Sequence, residues 1–154
     1  MADEVEVRRA TADDVDVLVE LRAEMFRSMG SAGVDGPWQQ ASRQWFAERL
    51  DHADYGIFVV TAAGQVVASA VGSARDCAPS PSVPEGRDVL ISTVCTFPEW
   101  RGRGHGRRAF DAVLDWARST GIRRAELMAT PDGRPMYEKA GFTLTACPAM
   151  RTSL

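Results

Sequence analysis

From residue 5 onward the apolar positions change their spacing repeatedly, and each change marks an element. Val5, Val7 and Ala10 stand among charged neighbours in an extended run that predicts a strand over 5–10. Thr11-Ala12-Asp13-Asp14 reads as a helix start, a capping residue with acid in the first turn. Val15, Leu18, Leu21, Met25 and Phe26 then recur at helical spacing to about Met29, with Glu20, Arg22 and Glu24 on other faces. Three glycines between Gly30 and Gly36 predict a mobile loop. Pro37 suits the first turn of a second helix over 37–51, where Trp38, Ala41, Trp45, Phe46 and Leu50 share one broad face as core packing. Two β-rich runs, 56–61 and 66–74, flank Ala62-Ala63-Gly64-Gln65, which is short enough for an antiparallel hairpin. Prolines 79, 81 and 84 exclude regular structure over 76–86, a long connection rather than an interdomain linker. A strand over 88–97 runs into a loop of alternate glycines. The helix after it, from about 104 to 120, lays Ala109, Phe110, Val113, Leu114, Trp116 and Ala117 along one stripe and stops at Gly121. A strand over 123–129, a short helix between Asp132 and Gly141 and a final strand to about Met150 complete the order. The late strand-helix-strand units must cross over to parallel neighbours, so the pattern predicts a mixed α/β sheet flanked by helices.

Composition narrows this picture without redirecting it. A chain of 154 residues, 45% hydrophobic and 25% charged, fits one domain over 1–154 with its core at about 5–150. Met1-Ala2-Asp3-Glu4 is acidic and lacks the parts of a signal peptide, and no apolar run reaches the roughly 18 residues of a membrane span. The expectation is a soluble, cytoplasmic protein with no membrane partner. Cys77, Cys95 and Cys147 have no C-x-x-C spacing and the only histidines are His52 and His105, so reduced thiols and no metal are expected. A net charge of -3 and a pI near 5.4 provide no basic stripe for nucleic acid.

One stretch runs against that global sign. Phe97-Pro98 closes a strand, and Arg101, Arg103, Arg107 and Arg108 then surround Gly102, Gly104 and Gly106 at the start of a helix. Glycines let a ligand approach the main chain, and the free N–H groups and dipole of a helix start favour an anion such as a phosphate. A dinucleotide fingerprint from Gly102 would need glycine at 107, and a P-loop from there would need glycine at 107 followed by lysine. Arg107 excludes both.

The run from Arg101 to Gly106, R-x-x-G-x-G between a strand and a helix, resembles the pyrophosphate-binding motif of the GNAT acetyltransferase superfamily. Met136-Tyr137-Glu138-Lys139-Ala140-Gly141-Phe142 is similar to the [LM]-Y-E-[KR]-x-G-F signature that GNAT enzymes carry near their C-terminal end. With the element order from 5 to about 150, the two motifs extend the resemblance over nearly the whole chain. It implies a single-domain GNAT-like α/β fold, a mixed and mostly antiparallel sheet of six to seven strands flanked by about four helices. It also implies acetyl-CoA as co-substrate. Main-chain groups of Val94, Cys95 and Thr96 would face the pantetheine arm. The amides of Gly102, Arg103, Gly104, His105, Gly106 and Arg107 would take the pyrophosphate, with Arg101 beside them. His105 is expected to contribute its amide while its side chain packs beneath the loop, and Arg108 to be a solvated surface charge.

The same resemblance brings the Tyr137 hydroxyl to the sulfur, where it would protonate the departing thiolate. Glu126 lies where some family members carry a glutamate base, and it can equally face solvent or pair with Arg123 or Arg124. Glu24, Asp76, Asp88 and a water chain stay open as alternatives. Cys95 reads as a small apolar filler, because family chemistry is direct transfer. The implied activity is an N-acyltransferase moving acetyl from the thioester to a primary amine of a small molecule. Acetylation of a protein N-terminus or lysine differs only in the acceptor groove, and a non-catalytic CoA-binding module is the reading from another class. Residues 25–38 are expected to line the acceptor site; the sequence does not give the oligomeric state, and family habit alone suggests a homodimer.

Overall fold

Five strands form one sheet in chain order, β1-β2-β3-β4-β5. The computed structural model describes residues 4–154, so the acidic start at Met1, Ala2 and Asp3 lies outside the described residues. β1 (Val5–Arg9), β2 (Tyr55–Ala62), β3 (Gln65–Asp76) and β4 (Arg87–Thr96) pair antiparallel, and β5 (Ala125–Glu126) joins β4 in parallel. Helices α1 (Val15–Ser28) and α2 (Trp38–Arg49) cover one face through Leu18, Val19, Phe46 and Leu50, which meet Ile57, Val59 and Val71. Helices α3 (His105–Ser119) and α4 (Arg134–Lys139) cover the other, where Ala109, Phe110, Val113 and Tyr137 meet Val60, Ala68, Ala70, Val89 and Ile91.

Local chemistry accounts for most of these elements. At the predicted hairpin, Ala62 pairs with Gln65, and Ala63 and Gly64 take φ of 50° and 76°, a left-handed pair that suits a two-residue turn. Ahead of α1, the Thr11 N–H donates to the Asp14 carboxylate at 2.8 Å, and Arg8 pairs with the same carboxylate at 2.7 Å. The cross-strand partners Gly56 and Gly72 form a seat for Trp116 of α3. A Cβ added at Gly72 would stand 2.6 Å from the indole, so only glycine lets the helix sit this close to the sheet.

The expected strand count needs correcting. Among the described residues the sheet has five strands rather than six to seven, the strand expected over 123–129 pairs at Ala125 and Glu126 alone, and residues after Phe142 form no strand. The alternation of Leu144, Ala146 and Met150 needs a neighbour to pair with, and β5 is too short to offer a ladder. Pro148 removes one donor besides.

β4 carries the two irregularities that position the site. Ser69 is opposite Cys95 and Val71 is opposite Ser92, so Thr93 and Val94 together face Ala70, a β-bulge with Thr93 at φ +51°. On its other edge β4 meets β5 only at Val89 and Leu90, and from Ile91 onward the two strands part. The closed end is pinned by Asp88, 2% exposed, which accepts from Arg75 at 2.8 and 2.9 Å and from Arg124 at 3.3 Å. The Val89 N–H adds a bond to the Arg124 carbonyl at 2.9 Å. The sheet is therefore shut at the start of β4 and open at its end, where the glycine loop begins.

Candidate active site

After β4 the chain makes one tight turn, with the Trp100 N–H on Phe97 O and the Arg101 N–H on Pro98 O, and then stops bonding to itself. The amides of Gly102, Arg103, Gly104, His105, Gly106 and Arg107 have no acceptor among the described residues. The first helical bond is from Arg108 N–H to Gly104 O at 3.1 Å. Gly102 and Gly104 hold φ of 78° and 81°, and the space around Gly102 is empty, so backbone conformation requires glycine there. Gly106 is different. A Cβ on it would stand 3.1 Å from Thr96 Oγ1, which is how close the start of α3 lies to the end of β4.

The four arginines ring these amides with their forks already engaged. Arg101 donates to Thr96 O at 3.1 Å and to Ser28 Oγ at 3.0 Å, and lies 3.8 Å from Glu24, so it ties the loop to the end of α1. Arg103 lies over the Trp100 ring at 5.0 Å. Arg107 pairs with Asp111 at 2.9 Å, and the exposed Arg108 donates to Arg103 O at 3.1 Å. His105 is 5% exposed and its ring stands 6.0 Å from Trp100. Burial, and then Arg108 and Arg103, hold its pKa below the ordinary value, so it is neutral at physiological pH.

Val94, Cys95 and Thr96 lie where β4 has left β5. Val94 packs against the cluster that contains Tyr137, and the buried Cys95 Sγ is 3.5 Å from Ser69 Oγ. Burial pushes the Cys95 thiol up to about 11, so it is a neutral thiol rather than a nucleophile at pH 7. Tyr137 packs edge-on to Phe110 at 5.1 Å, and a Cβ on Gly133 would stand 3.1 Å from its ring. Its hydroxyl bonds to none of the described residues. The residue lines a cavity of about 820 Å³ between α3, β5, α4 and residues 142–145. Burial, with Cys95 a smaller cause, raises the phenol pKa and keeps it protonated.

Glu126 borders the same cavity. Its neighbours Ala125 and Leu127 pack on the α3 side, so its side chain turns to the opposite face and lies 3.7 Å from Arg75, with no ion pair to Arg123 or Arg124. Of the alternative carboxylates, Asp88 is locked by two arginines, Glu24 is held by Arg27 at 2.8 Å and by Ser28, and Asp76 sits exposed at the end of β3.

The sequence reading missed Arg22. Half-buried on α1, it donates to Thr93 Oγ1 at 2.7 Å and stands over the Phe26 ring at 4.9 Å. The available signal was its spacing, four residues from both Leu18 and Phe26 and therefore on the buried stripe. Phe26 meets Trp38 edge-on at 5.6 Å and lines a cavity of about 250 Å³ with Val34 and the glycine-rich loop. The Trp38 and Gln39 side chains both donate to Val34 O at 2.9 Å.

The family model described as acetyltransferase (GNAT) family matches residues 16–142, which takes in the open strand, the glycine loop and Tyr137. The chain belongs to the GNAT acetyltransferase family. Among solved structures, this GNAT chain is similar to a GCN5-related N-acetyltransferase from Ralstonia eutropha, at 26% identity over 97% of this chain and 99% of that one, with a TM-score of 0.85. An acetyltransferase with acetyl-CoA from Clostridium acetobutylicum matches at 23% identity over 97% and 96%, TM-score 0.86. Glucosamine-6-phosphate N-acetyltransferase from Arabidopsis thaliana matches at 18% over 97% and 98%, TM-score 0.74. At under a quarter identity, the last two speak to the fold. No curated protein matches the chain. Among the described residues no helix is long and apolar enough to cross a membrane, and no group of three histidine, cysteine or acidic side chains could hold a metal ion.

Proposed function

We propose that this GNAT protein moves the acetyl group of acetyl-CoA directly to a primary amine of a small molecule. The observation that carries the reading is the row of unpartnered amides from Gly102 to Arg107 at a helix start, beside a strand edge open from Ile91 to Thr96. The amides are the donors for the pyrophosphate, with Arg101 and its neighbours supplying positive charge, and the open edge at Val94, Cys95 and Thr96 suits the pantetheine amides. The Clostridium neighbour, of the same fold, is described with acetyl-CoA. The Arabidopsis neighbour, named for an amino sugar phosphate, shows that this fold can serve a small-molecule acceptor.

Each bond change has a candidate group. As the amine nitrogen bonds to the carbonyl carbon, a main-chain N–H near the β4 bulge stabilises the oxyanion. The amine proton passes to Glu126, directly or through water. The C–S bond breaks, and Tyr137 Oη gives its proton to the departing thiolate. With reference values of about 10 for phenol and 8.5 for thiol, that transfer runs uphill in water. Burial disfavours both anions here, raising the Tyr137 phenol and taking the neighbouring Cys95 thiol up to about 11, so a thiolate leaving at this site is a stronger base than it is in water. Tyr137 from α4 and Glu126 from β5 border one cavity beside the gap between β4 and β5, which supports pairing them as acid and base.

A panel of primary amines, read by release of CoA thiol, tests the activity, and Tyr137→Phe tests the mechanism. Turnover should fall about 10²- to 10⁴-fold with acetyl-CoA affinity within a few-fold of wild type. Wild-type turnover in the phenylalanine variant would remove Tyr137 and leave water as the donor. Tight acetyl-CoA binding with no CoA release from any amine would favour a binding module.

A further inference from the structure

Arg22 differs from most arginines of this protein in how its charge is met. Most of them reach a carboxylate, as in Arg8 with Asp14, Arg75 and Arg124 with Asp88, Arg87 with Asp54, and Arg107 with Asp111. Arg22 is half-buried, and no carboxylate of the described residues lies within ion-pair distance of it. Its one hydrogen bond runs from NH1 to a neutral acceptor, Thr93 Oγ1. A guanidinium has five N–H donors, so most of this fork is unused. None of its nitrogens is among the fully buried polar atoms without a partner, so the unused donors open onto accessible space. Burial with no counter-charge also lowers its pKa, the mark of a cation that a bound anion would stabilise.

Its location decides what kind of anion. Thr93 is the bulge residue that directly precedes Val94, so Arg22 ends beside the strand segment assigned above to the pantetheine arm. From Arg22 the surface continues over the Phe26 ring to the open cavity of about 250 Å³ lined by Val34 and Trp38. An amine placed at the open edge of β4 would therefore meet an apolar wall at Phe26 and Trp38 and, between them, a positive fork held by Thr93.

We infer that the acceptor is a small primary amine that also carries an oxyanion, carboxylate or phosphate, and that Arg22 binds this group through its free N–H donors. The inference rests on the acetyl-transfer reading for its amine and extends that reading to the substrate class. An arginine fork matches the paired oxygens of either oxyanion, and Thr93 fixes the direction in which it points.

Matched substrates test it on the wild-type protein. α-Amino acids are compared with their amides, and phosphoethanolamine with ethanolamine, by kcat/KM for CoA release. The amide has the less basic amine, more of it neutral at pH 7, so intrinsic reactivity favours the amide and a preference for the acid must come from the site. The expected result is at least a tenfold preference for the charged member of one series, and the series that shows it identifies the oxyanion. In Arg22→Gln the preference should collapse toward one while acetyl-CoA affinity is kept. Equal or better use of the neutral members, or an unchanged preference in Arg22→Gln, overturns the inference. Calorimetric titration of the CoA-saturated protein with the same pairs reads the preference without turnover. Retained preference with no turnover would sink acetyl transfer and keep the anion site, and turnover without preference would do the reverse.

Discussion

The amide of Arg107 can be deleted without touching a helical hydrogen bond. It lies in the first turn of α3 and has no acceptor among the described residues, because the first helical bond belongs to Arg108. Proline is tolerated in a first turn for that reason, and the preceding Gly106 lacks the Cβ that would crowd the proline ring. Arg107→Pro therefore removes one donor and one side chain, and Arg107→Ala removes the side chain alone, with its surface pair to Asp111 at 2.9 Å. The difference between the two variants isolates the amide. A hydrogen bond to a charged group is worth about 1.5–3 kcal/mol, and each 1.4 kcal/mol is tenfold, so CoA affinity should be about 10- to 150-fold weaker in the proline variant than in the alanine one. Calorimetry with CoA gives this ratio. Pantetheine, which has no pyrophosphate, serves as the ligand whose affinity should match between the two. Thermal unfolding should place both variants at similar stability. Equal CoA affinity in two folded variants would show that this amide meets no phosphate, and the anion site would have to move off the helix start.

Two further outcomes concern the scaffold. Asp88→Asn keeps the volume but removes the charge that two half-exposed arginines share, and should cost about 1–3 kcal/mol at pH 7, below the cost of breaking a fully buried pair. The hydrogen bond from Arg75 holds the folded pKa of Asp88 below 3.8, so this contribution is complete above that value and is lost as pH falls through the folded pKa. Urea unfolding at pH 7 and pH 3 should show the gap between wild type and variant narrowing in acid; a gap that widened would reverse the sign. Gly72→Ala should cost about 1–3 kcal/mol, because its Cβ would lie 2.6 Å from Trp116 and 2.8 Å from Val113. The penalty should shrink in a Trp116→Leu background, and an equal penalty there would exclude the indole as its cause.

What the sequence made legible was local. The hairpin at Ala63-Gly64, the apolar stripe of α3 and the glycine loop each depend on residues close together in the chain, and each appears where the spacing placed it. The final strand failed because alternation describes a strand's faces and not its neighbour, and the neighbour is two residues long. Glu126 was weighed against Arg123 and Arg124, adjacent in sequence, whereas the arginine beside it is Arg75, two strands away. The bulge at Thr93 is a matter of register between β3 and β4, which no pattern within one strand contains. Arg22 was hidden for the same reason: its meaning depends on that bulge.

Thr93 interrupts the alternation of β4. Val89 and Ile91 pack on the α3 side and so does Val94, while Cys95 meets Ser69 on the other. A β4 one residue shorter, running from Ser92 straight to Val94, would keep simple alternation and bury the same side chains against the same partners. The additional residue instead sits at a positive φ that a β-branched side chain rarely adopts, a conformation costing on the order of 1–3 kcal/mol. Thr93 is buried there, its carbonyl facing Ser69 Oγ and Cys95 Sγ, and its hydroxyl accepts from Arg22, which pairs with no carboxylate among the described residues. The strand would alternate more simply without Thr93, and what the additional residue provides is a hydroxyl that fixes the direction of the Arg22 fork beside the open edge.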